Sequence, residues 1–155
     1  MKLTKMERKY LDALLENYRS NPRVQEMRNY IQHGAVSTYE HVESVALMSF
    51  WLNRRLCLGS NEKALVEGAF LHDFYLYDWH TGSQGLHGFY HPGIACRNAV
   101  AHFHVDKRVQ NIIRSHMWPL TLTVLPMCRE AWIVCLADKC ISAKETLCQR
   151  RKGRK

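Results

Sequence analysis

The chain lacks any run of apolar residues long enough to cross a bilayer. Its longest mostly apolar stretch is VALMSFWL, residues 45–52, whereas a spanning helix needs about 20 such residues. The first residues, MKLTKMERKY, have no apolar core of the kind a secretory signal carries. These absences make the cytoplasm the expected location and argue against a membrane partner. A CxxC pair is also missing. The six cysteines (Cys57, Cys96, Cys128, Cys135, Cys140 and Cys148) are scattered, as reduced, buried thiols of a cytosolic chain are. Cys135, Cys140 and Cys148 fall where a helix is expected, so a core face accounts for them. No repeat, low-complexity segment or linker divides the 155 residues, a length that suits one domain.

Convincing alternating strands are absent, apart from the brief LTLTVL at 120–125. The periodicity present has helical spacing. Residues 4–18 place Met6, Tyr10, Leu14 and Tyr18 four apart, and a short helix after Asn21-Pro22 can run to about Ile31. GAVST then reads as a turn with Ser37 or Thr38 as cap for a helix over 39–58. Gly59 stops that helix, and Ser60 caps the next, which runs to about Tyr77. The Gly- and His-rich stretch 79–92 reads as a loop. Helices follow over 93–104, over 106–116 with Asp106 as cap, and over 127–149. The expected fold class is all-α, a single-domain helical bundle.

The formal net charge is +8, but Arg150, Arg151, Lys152, Arg154 and Lys155 in the tail RRKGRK hold five of those charges. A frayed basic terminus accounts for the balance, so nucleic acid is not an expected partner.

What the chain does have is histidine, nine in all. In FLHDFYLYDWH, residues 70–80, an imidazole and a carboxylate stand side by side in an apolar run, a costly placement unless the polar groups are paired. Six metal-competent residues fall where helices would meet: His41, His72, Asp73, His91, His116 and Asp138. Neutral imidazole with carboxylate suits divalent ions such as Fe, Mn, Zn, Co or Ni. Neighbours on a helix point about 100° apart, so His72 and Asp73 can straddle one edge and share an ion. A zinc-deaminase reading fails, because P-C-x-x-C is required and Met127 separates Pro126 from Cys128.

The ordered set His41 … His72-Asp73 … Asp138 resembles the signature of the HD superfamily of metal-dependent phosphohydrolases. His91 in HPGIACRNA and His116 in IIRSHMWPL match positions of its two-metal branch. HGAVSTYEH, FLHDFYLYDWH and LHGFYHP resemble small stand-alone bacterial HD proteins, and the likeness covers roughly residues 30–145. The resemblance implies one HD-type domain with that core, a basic tail over 149–155, and one or two divalent ions (Fe, Mn, Zn, Co, Ni or Mg). The Gly-Tyr-Pro element of the cyclic-dinucleotide branch is missing, so such a substrate is not expected. There is also no room for the regulatory and synthetase regions of alarmone enzymes.

With two ions, His41, His72, Asp73 and Asp138 would hold the first, and Asp73, His91 and His116 the second. Asp73 bridges, and together with His72 carries the catalysis. A metal-activated water would then cleave a phosphate mono- or diester of a nucleotide or small phosphorylated metabolite. Lys139 and Arg97 are candidate phosphate contacts. His33, His87 and the aromatic Trp118 are candidate substrate contacts, with Trp79 as a second aromatic. His102 and His104 read as structural. A rival reading is a catalytically silent sensor that keeps the metal pocket and binds a nucleotide or phosphorylated ligand without turnover.

Overall fold

Five helices among the described residues begin on side chains that satisfy their first backbone N–H groups. The computed structural model describes residues 1–80 and 87–152, without the side chains of His33 and of 149–152. Helix α1 spans Lys5–Arg19 behind a Thr4/Glu7 capping box. A short α2 (Pro22–Gln25) runs into a single 3₁₀ turn, Glu26–Asn29. Strands β1 (Ile31–His33) and β2 (Val36–Ser37) then form a small antiparallel hairpin, turning through Gly34 at φ +60°. Helix α3 (Thr38–Arg55) starts on a second capping box, Ser37 with Glu40. Asn61, rather than Ser60, caps α4 (Glu62–Leu71) by accepting from the Ala64 N–H. Helix α5 is His87–Phe103, α6 is Lys107–Ser115 with Asp106 as its cap, and α7 is Arg129–Lys152.

The all-α expectation holds, with the hairpin as a small addition. Two boundaries near the histidines differ from the sequence reading. Helix α4 stops at Leu71 instead of near Tyr77, because the chain turns through His72 and Asp73 and Leu76 takes a left-handed φ of +57°. The doublet therefore ends a helix rather than standing within one. Helix α5 starts at His87, inside the stretch read as a loop. Pro92 suggests a later start because it biases its predecessor away from the helix, yet it falls early enough here to remove only one hydrogen bond, that to Gly88. LTLTVL forms turns, not a strand. Cys140 and Cys148 face outward on α7, while Cys96 and Cys135 are buried. The 135-to-140 step turns about 140° round a helix, so one core face cannot hold both.

Helices α3, α4, α6 and α7 pack against one another, α1 lies on α4, and α5 lies on α6. Phe50, Phe70, Phe74, Leu65, Leu71, Ile112 and Ile113 fill the space between them, each fully buried. Gly68 lets α4 and α6 approach: a Cβ there would meet Ile112 Cβ at 2.9 Å and Cγ2 at 2.6 Å. The start of α3 lies beside the ends of α4 and α6, and that end of the bundle collects the histidines. No helix among the described residues is long and apolar enough to cross a membrane.

Candidate metal centre

The structure brings all six expected ligands together from five helices or their ends. His41 comes from the first turns of α3, His72 and Asp73 from the turn ending α4, and His91 from the start of α5. His116 ends α6, and Asp138 lies within α7. All six are buried.

Local backbone chemistry orients the rings. A helix leaves its last carbonyls without partners, and His72 and His116 are both C-cap residues. Each donates Nδ1–H to the carbonyl three residues back, Ala69 at 2.8 Å and Ile113 at 2.7 Å. His91 donates Nδ1–H to the His87 carbonyl at 2.9 Å. His41 instead places Nδ1 2.9 Å from the Glu145 carboxylate. With every Nδ1 engaged, all four rings turn Nε2 toward the centre, the arrangement of metal-binding histidines held by outer hydrogen bonds.

Asp73 divides the cluster in two. Its Oδ2 lies 3.4 Å from His72 Nε2 and 3.8 Å from His41 Nε2, while Asp138 Oδ1 stands 3.2 Å from His41 Nε2 and 3.8 Å from His72 Nε2. Its Oδ1 faces the other way, 3.1 Å from His91 Nε2 and 3.6 Å from His116 Nε2. Donor atoms of His41, His72 and Asp138 lie within 4.8 Å of one another, as do those of His72, Asp73 and His116. Two of these buried atoms, His72 Nε2 and Asp73 Oδ1, have no hydrogen-bond partner. Buried polar atoms are rarely left so. A cation at the centre would satisfy both, so the donor set fits divalent metal.

The electrostatics of the ion-free protein agree. Burial alone would raise the carboxyl of Asp73, but His72 and His91 hold it well below the usual range. Burial is likewise outweighed at Asp138, by the hydrogen bond of His41 and by His72 beside it, so its carboxyl also lies well below the usual range. His41 loses basicity to burial but regains more from Asp138 and Glu145, reaching about 9. His72 also ends well above its ordinary value, with the charge of Asp73 as the largest favourable influence. His116, pressed by burial and by His72 and His91, falls to about 3. The acid-rich half of the cluster thus collects positive charge, while His116 in the other half stays neutral.

A cavity of about 830 Å³ opens beside the centre and reaches Asp73, His91, His116 and Asp138. Of the expected substrate contacts, His87 and Lys139 line it. His87 hydrogen-bonds Tyr77 at 2.9 Å, and burial together with His91 lowers it to about 4. Lys139 Nζ donates to the His116 carbonyl at 2.9 Å, bracing the turn that carries a ligand. Arg97 is not brought there: it is exposed, six residues and about 120° round α5 from His91. Nor is Trp118, whose ring packs edge to face on Trp132 at 4.9 Å. The side chains of His33 and of the basic tail from 149 onward lie outside the described residues.

Two partners escaped the sequence reading. Gln32 Nε2 donates to Asp73 Oδ2 at 2.6 Å, and its Oε1 accepts from the Tyr75 hydroxyl. No sequence signal marks a lone glutamine in an unforeseen hairpin. Glu145 had one: it lies seven residues after Asp138, two turns along the same helix face. Of the expected structural histidines, His104 caps α5 at φ +52° and His102 packs on Phe74.

No curated protein and no solved structure matches the chain. The HD domain profile matches residues 38–143, a span that holds all six candidate ligands from His41 to Asp138 and stops short of Gln32 and Glu145. Members of that family are generally metal-dependent hydrolases, and by this match over most of its length, with the His-Asp doublet at the centre of the site, the chain belongs to the HD domain family.

Proposed function

We propose that this protein is a metal-dependent phosphohydrolase acting on a phosphate mono- or diester of a nucleotide or small phosphorylated metabolite. The observation that carries the reading is the division of Asp73: one carboxylate oxygen faces His41 and His72, which Asp138 also approaches, and the other faces His91 and His116. His41, His72, Asp73 and Asp138 would hold one divalent ion, and Asp73, His91 and His116 a second. Bound there, divalent ions supply a water of lowered pKa and Lewis-acid neutralisation of phosphoryl charge.

The chain's own residues do the rest. Gln32 fixes the Asp73 carboxylate from outside the cluster, and Glu145 fixes His41. Phe74, Leu71 and Val42, all fully buried, keep bulk water from the ligands on the core side, which strengthens every charge interaction within. The cavity admits substrate to the other side. His87 and Lys139 line it and are proposed substrate contacts, His87 with its ring and Lys139 by exchanging one of its present acceptors. The cytoplasm is the proposed location.

The test is metal analysis of protein purified without chelator, followed by phosphomonoesters, phosphodiesters and nucleotides assayed with Mn, Fe, Co and Ni. Bound metal with turnover of at least one ester, lost in Asp73→Ala, is the expected outcome. Tight binding of a phosphorylated ligand with no turnover by any metal form would overturn catalysis in favour of a sensor.

A further inference from the structure

The cavity holds a hydrogen-bond donor that the proposed hydrolysis leaves unused. Trp79 lines the cavity, and its indole Nε1 is buried with no partner among the described residues. Leaving such a donor unmet is costly, and folded proteins rarely do so. The ring is firmly placed. It stacks on His87 at 5.0 Å and 15°, and His87 stacks on His91 at 4.5 Å and 13°. His80 packs 3.9 Å from the indole as well. Three rings therefore run as a column from a metal ligand to the indole, so the unmet N–H sits two ring steps from the site of chemistry.

The same lining is poor in positive charge. Histidines apart, Lys139 is its one cationic residue among the described residues. Its Nζ already has three acceptors: the His116 carbonyl at 2.9 Å, Cys135 Sγ at 3.2 Å and the Cys135 carbonyl at 3.4 Å. An ammonium has three N–H groups, so a phosphate could be bound only by giving up one of these. Beyond the centre the walls are largely apolar, with Gly88, Met117, Pro119 and Leu120. A second phosphoryl group there would be a desolvated charge without a partner, whereas about 830 Å³ accommodates an uncharged group of nucleoside size.

We infer that Trp79 forms a distal subsite, which selects a phosphate monoester whose organic part is uncharged and accepts a hydrogen bond from Nε1. This rests on the phosphohydrolase reading and names its substrate class. A substrate carrying a further phosphoryl group is disfavoured because the lining offers that charge nothing.

Uridine 5′-monophosphate, uridine 5′-diphosphate and ribose 5-phosphate probe the subsite in the metal-loaded protein and its Trp79→Phe variant. The wild type should prefer the monophosphate over the diphosphate by about tenfold in kcat/KM. Trp79→Phe, which keeps a ring but removes the N–H, should lower kcat/KM for uridine monophosphate about tenfold, mainly through KM. Ribose 5-phosphate, which has no base, should be handled alike by both proteins. Equal wild-type handling of mono- and diphosphate overturns the inference. So does an equal loss on uridine monophosphate and ribose 5-phosphate in a variant with unchanged helical circular dichroism. Calorimetry with a uridine 5′-phosphonate, which has no ester bond to hydrolyse, separates the two proposals. Weakened phosphonate binding in Trp79→Phe without turnover of any ester keeps the subsite and overturns the hydrolase. Ester turnover with identical phosphonate affinity in the two proteins overturns the subsite alone.

Discussion

The Nε2 atoms of His91 and His116 stand 2.8 Å apart, while Nδ1 of each ring donates to a backbone carbonyl, of His87 and of Ile113. With both rings neutral in that tautomer, the two Nε2 atoms would present lone pairs to each other. Two lone pairs facing each other repel unless a cation stands within reach of both, and Asp73 Oδ1 is 3.1 Å and 3.6 Å from the same two atoms. The pair therefore suits an ion of its own, separate from one that His41, His72 and Asp138 would hold.

Removing ligands should therefore lower metal content in steps. His116→Ala is expected to lose one equivalent of metal and retain the other. Asp73→Ala, which takes a carboxylate oxygen from both halves, is expected to lose both. Elemental analysis of protein purified without chelator measures the difference, and full occupancy in Asp73→Ala would rule out the bridging role.

Glu145 should tighten metal binding without touching the ion. It is the one carboxylate behind a ligand ring, 2.9 Å from His41 Nδ1, whereas the other three histidines lean on backbone carbonyls. Glu145→Gln is expected to weaken metal affinity about 10–100-fold, as the loss of such outer partners does. Competition with a chromogenic chelator reads the affinity directly.

Metal uptake should release protons and strengthen with pH. In the ion-free protein His41 keeps its proton up to about pH 9, since its hydrogen bonds to Asp138 and Glu145 outweigh burial, and His72 is raised as well. A ligand nitrogen must lose its proton before it binds metal. At pH 7 the protons must therefore be displaced, and apparent affinity should rise with pH until His41 is deprotonated. Calorimetry in buffers of different ionisation enthalpy counts the protons released; buffer-independent heats would contradict the expectation.

Packing makes a prediction away from the site. Gly68→Ala would gain about 1 kcal/mol of helix propensity, but its Cβ would fall 2.9 Å from Ile112 Cβ, an atom too close to the backbone to swing aside. The overlap should dominate and cost about 1–3 kcal/mol net. Urea denaturation of the two proteins measures it, and a more stable alanine variant would refute the close approach of α4 and α6.

The sequence by itself determined much of this protein. Helical spacing, capping residues such as Asp106 and Thr4, and the lack of alternating strands settle the fold class locally. The six candidate ligands were legible because their chemistry is unusual for apolar helices: His72-Asp73 stands out wherever the helix ends. Only the tertiary structure decided how those residues are used. That α4 stops at Leu71 and that α5 runs through Pro92 depend on hydrogen bonds and packing no local propensity encodes. Gln32 reaches Asp73 across 41 positions and Glu145 reaches His41 across 104. Such partners carry no local signature, because side chains of that type are ordinarily solvated on the surface. Arg97 and Trp118 illustrate the converse, since closeness in sequence to a ligand does not fix the direction a side chain takes. The ligands' identity was a matter of residue chemistry. The split of Asp73 between two sets of histidines is a matter of position, fixed only when five helices meet.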